Sequence, residues 1–83
     1  MASRDRVTLF TIPGLCPLCD EAREALHAAR ADFTEIDIRK DRGLLRAYRL
    51  EIPVVEVDGR KAFVGRVELP RLRALLAAGP EKL

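Results

Sequence analysis

The chain has 83 residues, 48% of them hydrophobic and 34% charged. That length allows a single domain, 1–83, and excludes a cofactor domain joined to a substrate domain or a (β/α)₈ barrel of about 250 residues. The formal charge of +2 makes no demand for nucleic acid. No apolar run approaches a signal-peptide core or the roughly 20 residues of a membrane span. We therefore expect a cytoplasmic protein with neither nucleic-acid nor membrane partners. With no heptad or large apolar patch legible, a monomer is expected.

The elements follow in chain order. Val7 to Ile12 is a β-branched and aromatic run, apolar at both parities, as in a central strand buried on both faces. Pro13-Gly14 ends it. From Pro17 to about Ala31 the spacing of Leu18, Ala22, Ala25, Leu26 and Ala29 predicts a helix with one apolar face. Pro17 suits its first position, and Asp20 and Glu21 suit its first turn. Thr34 to Ile38 reads as a second strand. Asp41 to Arg49 reads as a short helix packing through Leu44, Leu45 and Tyr48. Ile52-Pro53 opens a third strand, Val54 to Val57. Asp58-Gly59 is a two-residue hairpin signal, and Lys61 to Val64 returns antiparallel. Leu69, Leu72, Leu75 and Leu76 mark a last helix ending near Gly79-Pro80. The order β-α-β-α-β-β-α implies an α/β fold whose first two strands are parallel and whose last two form an antiparallel hairpin.

Two stretches are rich in bases. Arg39, Lys40, Arg42, Arg46 and Arg49 stand against Asp41, and Arg60, Lys61, Arg66, Arg71 and Arg73 against Glu68. Each reads as a solvated face or as a positive rim for an anionic substrate.

Cys16-Pro17-Leu18-Cys19 carries the chemistry. It follows a strand and opens a helix within a βαβ unit, the setting of a redox motif. Free N–H groups and the helix dipole stabilise an anion there, so a Cys16 thiolate forms below the free thiol pKa of about 8.5. Cys19 lies one turn on, on the same side and within disulfide reach. Cys16 is expected to be the exposed, attacking sulfur and Cys19 the buried, resolving one. Asp20 and Glu21 oppose the thiolate. A zinc site needs four ligands, and beyond the cysteines the chain adds His27, mid-helix and expected on the surface. Pro53, just before a strand, is compatible with a cis bond that presents the backbone of Val54 to an extended thiol peptide beside Cys16.

These residues resemble the thioredoxin superfamily, and within it the small glutaredoxins and bacterial glutaredoxin-like proteins. The resemblance spans about Val7 to Ala78 and rests on Val-Thr-Leu-Phe-Thr (7–11), Cys-Pro-Leu-Cys (16–19), Ile-Asp-Ile (36–38), Ile-Pro-Val-Val (52–55), Asp-Gly (58–59) and Phe-Val-Gly (63–65). It implies a minimal thioredoxin-like fold, with a four-stranded mixed sheet and three helices, and thiol–disulfide oxidoreductase activity. Cys16 matches the nucleophile, Cys19 the resolving cysteine and Pro53 the cis-proline. Val54 matches the residue whose backbone pairs with the cysteine of glutathione. Gly65 matches the first glycine before the last helix, where the γ-glutamyl carboxylate docks. Glutathione is thus the implied co-substrate, with no bound cofactor, and the partner is a disulfide-bearing small molecule or protein. The departures fall on the glutathione side: Leu18 replaces the usual Tyr, Pro13 the usual Lys, Ile52 the usual Thr, and Arg66 the second glycine. Arg66 is a candidate carboxylate binder, as are Arg39, Lys40 and Arg42. Three alternatives stay open: a reductase-dependent, thioredoxin-like protein that ignores glutathione; a metal or iron–sulfur carrier ligated through Cys16 between two chains; and an interaction domain that has lost turnover.

Overall fold

A computed structural model describes residues 6–78. Its elements are β1 (Val7–Thr11), α1 (Pro17–Ala28), β2 (Phe33–Asp37), a 3₁₀ turn (Ile38–Lys40), α2 (Arg42–Tyr48), β3 (Val54–Val57), β4 (Arg60–Val64) and α3 (Leu69–Ala77). The sheet order is β2-β1-β3-β4. β1 runs parallel to β2 and antiparallel to β3, and β3 pairs antiparallel with β4. The predicted order and the parallel first pair are therefore present, with the 3₁₀ turn as an additional element.

Alternation along the strands sorts the core into two layers. Val7, Leu9, Val55, Val57 and Phe63 pack against Ala22 and Leu26 of α1 and Leu72 of α3. On the other face Phe10 and Val54 pack with Ile38, and Leu44, Leu45 and Tyr48 close that layer. Phe10 meets Tyr48 edge-on at 5.1 Å. β1 and β3 each contribute to both layers, which is why β1 is apolar at both parities.

Several boundaries differ from expectation, each for a local reason. α1 stops at Ala28 rather than near Ala31, because Arg30 adopts a left-handed conformation (φ 57°). Its N–H donates to the His27 carbonyl, and that of Ala31 to the Leu26 carbonyl, which closes the helix with a Schellman motif built without glycine. β2 ends one residue early because the Asp37 carboxylate accepts from the Arg39 amide and starts the 3₁₀ turn. Asp41 caps α2 rather than joining it, accepting from the Leu44 amide at 3.0 Å. Leu18, expected on the apolar face of α1, is 39% exposed. The buried stripe is centred on Cys19, Ala22 and Leu26, and at 100° per residue Leu18 falls on its flank. The Asp58-Gly59 turn has positive φ at both residues (54° and 82°), as a type I′ hairpin needs. Gly79-Pro80, where the last helix was expected to end, lies outside the described residues.

Arg6 ties the end of the fold away from the cysteines. Its guanidinium pairs with Asp58 at 2.9 Å and donates to the Leu76 carbonyl at 3.0 Å near the end of α3. Its pKa is raised chiefly by the hydrogen bonds to Asp58. Leu26 is fully buried in the layer that joins α1 to the sheet. Leu26→Ala is expected to cost about 2–5 kcal/mol in urea unfolding. A loss below about 1 kcal/mol would mean that this layer does not hold α1 in place.

Candidate active site

The site is built where β1 hands the chain to α1. Pro13 and Gly14 occupy the centre of a tight turn in which the Leu15 N–H donates to the Ile12 carbonyl at 3.3 Å. Gly14 has φ +85°, which the second central position of a type II turn requires. The turn delivers Cys16 in an extended conformation (φ −144°, ψ 100°) as the N-cap of α1. Its Sγ accepts from the Cys19 amide at 3.0 Å, and its carbonyl accepts from the Asp20 amide at 3.2 Å. Pro17 fills the first helical position, where no amide is missed.

Cys16 and Cys19 form a disulfide with their Cα atoms 5.1 Å apart, inside the span that such a bond bridges without backbone movement. Cys16 is partly exposed, whereas Cys19 is 0% exposed. Leu15 and Leu18, next to Cys16 and two residues beyond it in the chain, are exposed (73% and 39%).

The register places the other predicted residues at the same end of the sheet. Phe10 pairs with Val54, so Pro53 lies opposite the last residues of β1. Pro53 and Val54 are buried, and the Ile52–Pro53 peptide is cis. The Pro53 carbonyl accepts from the Gly65 amide at 2.8 Å, and the Arg66 amide closes a tight turn onto the Val64 carbonyl around Gly65 (φ +85°). Gly65 is thus fastened to Pro53 by backbone alone, while Arg66 is exposed. Of the other candidate carboxylate binders, Arg39 is engaged by Asp37 at 2.8 Å. That pairing holds the Asp37 carboxyl down at about 2. His27 is exposed and meets Phe33 edge-on at 5.3 Å. Among the described residues, no three His, Cys, Asp or Glu side chains are grouped to hold a metal. No described helix is long and apolar enough to cross a membrane.

One cluster beside the site was not anticipated. Arg23, in the second turn of α1, grips Glu35 of β2 through Nε at 2.7 Å and Nη2 at 2.6 Å, and Asp20 through Nη1 at 2.8 Å. The fully buried Thr11 hydroxyl donates to the same Glu35 carboxylate at 2.7 Å. The first turns of α1 are therefore fastened to the end of β1 and the middle of β2. Asp20, expected to oppose a Cys16 thiolate, is held by a cation, and Glu21 points to solvent. The available signal was the Asp20/Arg23 spacing of one turn; the Glu35 link crosses 12 residues and has no local mark.

A model of the Glutaredoxin-like domain (DUF836) matches residues 6–77. The X-ray structure of the X. campestris protein XcR50 is similar at 42% identity and a TM-score of 0.75, over 89% of this chain and 99% of that one. A mutant (T8A) of the thioredoxin-like protein BC3987 matches at 25% identity and a TM-score of 0.66, over 87% and 95%. In a mutant thioredoxin from Halobacterium salinarum NRC-1 the fold recurs at 20% identity and a TM-score of 0.62, over 93% and 75%. The chain belongs to the glutaredoxin-like domain family, and its fold is thioredoxin-like.

Arg23 chiefly, with help from Thr11 and against partial burial, holds the Glu35 carboxyl below its ordinary 4.5. A carboxyl with a lowered folded pKa contributes stability above its unfolded value, and that contribution is lost as pH falls through the folded value. Glu35→Gln is therefore expected to be less stable than the parent at neutral pH. The gap should narrow as the pH is taken below about 4.5 in a urea-unfolding series. A gap that stays constant with pH would show that the ionised carboxylate is not what stabilises the fold there.

Proposed function

We propose that this protein is a thiol–disulfide oxidoreductase in which Cys16 attacks and Cys19 resolves. The observation that carries the reading is the asymmetry of the pair: one disulfide joins a partly exposed sulfur at a helix N-cap to a fully buried one a turn later. In the reduced protein the Cys16 thiolate attacks one sulfur of a substrate disulfide. A bond forms between Cys16 and that sulfur, and the other sulfur leaves as a thiolate that takes up a proton. Cys19, deprotonated, then attacks Cys16 Sγ and expels the second substrate thiolate. Two electrons have passed to the substrate, and the Cys16–Cys19 disulfide remains. The helix N-terminus favours the negative sulfur of Cys16 as the nucleophile of the first step.

Two electrons from outside must restore the dithiol. Two molecules of glutathione supply them in the glutaredoxin reading, with the Gly65–Arg66 turn as a surface that would receive the tripeptide; Val54 itself is fully buried between Phe10 and Val64. A protein dithiol of the reductase type supplies them in the second reading. The exposed Leu15 and Leu18 favour the second reading, since apolar side chains suit a protein surface better than a tripeptide with three ionised groups. No resident cofactor enters either route.

Cys16→Ser is expected to bring reduction of bis(2-hydroxyethyl) disulfide to the uncatalysed background. Cys19→Ser should still make one attack and accumulate a mixed disulfide, visible by intact mass as a single substrate-thiol adduct. Turnover by the Cys16→Ser protein would sink the reading.

A further inference from the structure

The outer side of α2 carries a feature that disulfide exchange does not use. Leu44, Leu45 and Tyr48 pack inward. That leaves Arg42, Arg46 and Arg49, spaced four and three apart, within about 60° of one another around the helix. They line a shallow groove with Leu45. An exposed helix face ordinarily mixes signs, and like charges three or four apart weaken a short helix. Here no acid stands within Arg42–Tyr48. Some other bases have carboxylates: Arg6 has Asp58, Arg39 has Asp37 and Lys61 has Glu51. Among the described residues, the three ridge arginines have none, and neither have Arg66 and Arg73, so what sets the ridge apart is three such bases on one helix face. Leu50, just past the helix, is 87% exposed.

Topology brings this ridge to the redox end of the molecule. β1 and β2 are parallel and β3 is antiparallel to them, so the end of β2, the start of β3 and the Cys16 turn share one end of the sheet. The segment that carries α2 spans from the first of these to the second.

We propose that the Arg42–Arg46–Arg49 ridge docks an acidic polypeptide segment of the protein whose disulfide reaches Cys16. The inference rests on the exchange reading above and names its partner. Charge complementarity supplies the attraction: three guanidinium groups without internal partners match carboxylates, which they bind bidentately. The apolar elements of the patch, Leu45 in the groove and Leu50 beside it, favour a polypeptide with an apolar side chain among its acids over a phosphate backbone. One exposed leucine offers little to insert into a bilayer.

The test uses the full chain and two synthetic peptides, identical except that the acids flanking a central leucine in one are lysines in the other. Fluorescence anisotropy is read at about 20 mM and about 300 mM salt. The acidic peptide should bind about tenfold or more tighter than its lysine counterpart at low salt, and the preference should shrink at high salt. R42Q/R46Q/R49Q should abolish it, and R73Q, on the outside of α3, should leave it. Equal affinity for the two peptides, or a preference that survives the triple variant, overturns the proposal. So does binding to phosphatidylserine vesicles that the triple variant loses, if no peptide preference accompanies it. These peptides contain no disulfide, so binding is decided independently of chemistry. A protein that binds the acidic peptide yet fails to reduce bis(2-hydroxyethyl) disulfide would contradict the exchange reading alone.

Discussion

The structure turns on the start of α1. A helix begins with amides that lack intrahelical partners, and here a sulfur accepts one of them: Cys16 Sγ takes the Cys19 N–H at 3.0 Å. The same three-residue step that lets Cys16 cap the helix brings the two sulfurs into bonding distance. Everything that fixes this helix start, from the Pro13-Gly14 turn to Pro17, therefore also fixes the redox pair. A replacement cap such as serine would still accept the amide, but it could not form the bond.

Holding that start in place falls to packing on one side and charge on the other. Ala22 and Leu26 bury α1 against β1 and β3. Arg23 and Thr11 converge on Glu35 and pin the first turns to the end of β1 and the middle of β2. Because the cluster is partly buried, its hydrogen bonds are less screened than surface pairs such as Lys61–Glu51. It also occupies the nearest acid of α1, Asp20, with a cation. The exposed neighbours Leu15 and Leu18 are apolar, and of the two acids after Cys19 Glu21 is left facing solvent.

Much of this was legible in the sequence because the signals are local. Asp58-Gly59 specifies a hairpin in two residues, and Pro17 marks a helix start. The place of Cys-Pro-Leu-Cys, after a strand and opening a helix, ordered the exposed and buried sulfurs. The end of α1 was not legible, since Arg30 takes the left-handed conformation that glycine usually signals. Nor was the exposure of Leu18, which lies on the flank of the stripe that Cys19, Ala22 and Leu26 bury. The Thr11–Glu35–Arg23 cluster joins three elements across the fold, and nothing in the spacing of those residues along the chain announces it. The departures at Leu18, Pro13 and Arg66 were visible as residues, but what they bind is a property of a complex.

The central claim is that Cys16 and Cys19 form one reversible two-electron couple. The most direct measurement equilibrates the protein across a series of glutathione redox buffers, alkylates free thiols rapidly and reads the intact mass. The account predicts a single transition between a form alkylated at both cysteines and an unalkylated form two hydrogen atoms lighter than the dithiol. Two alkylated thiols at every potential would contradict it.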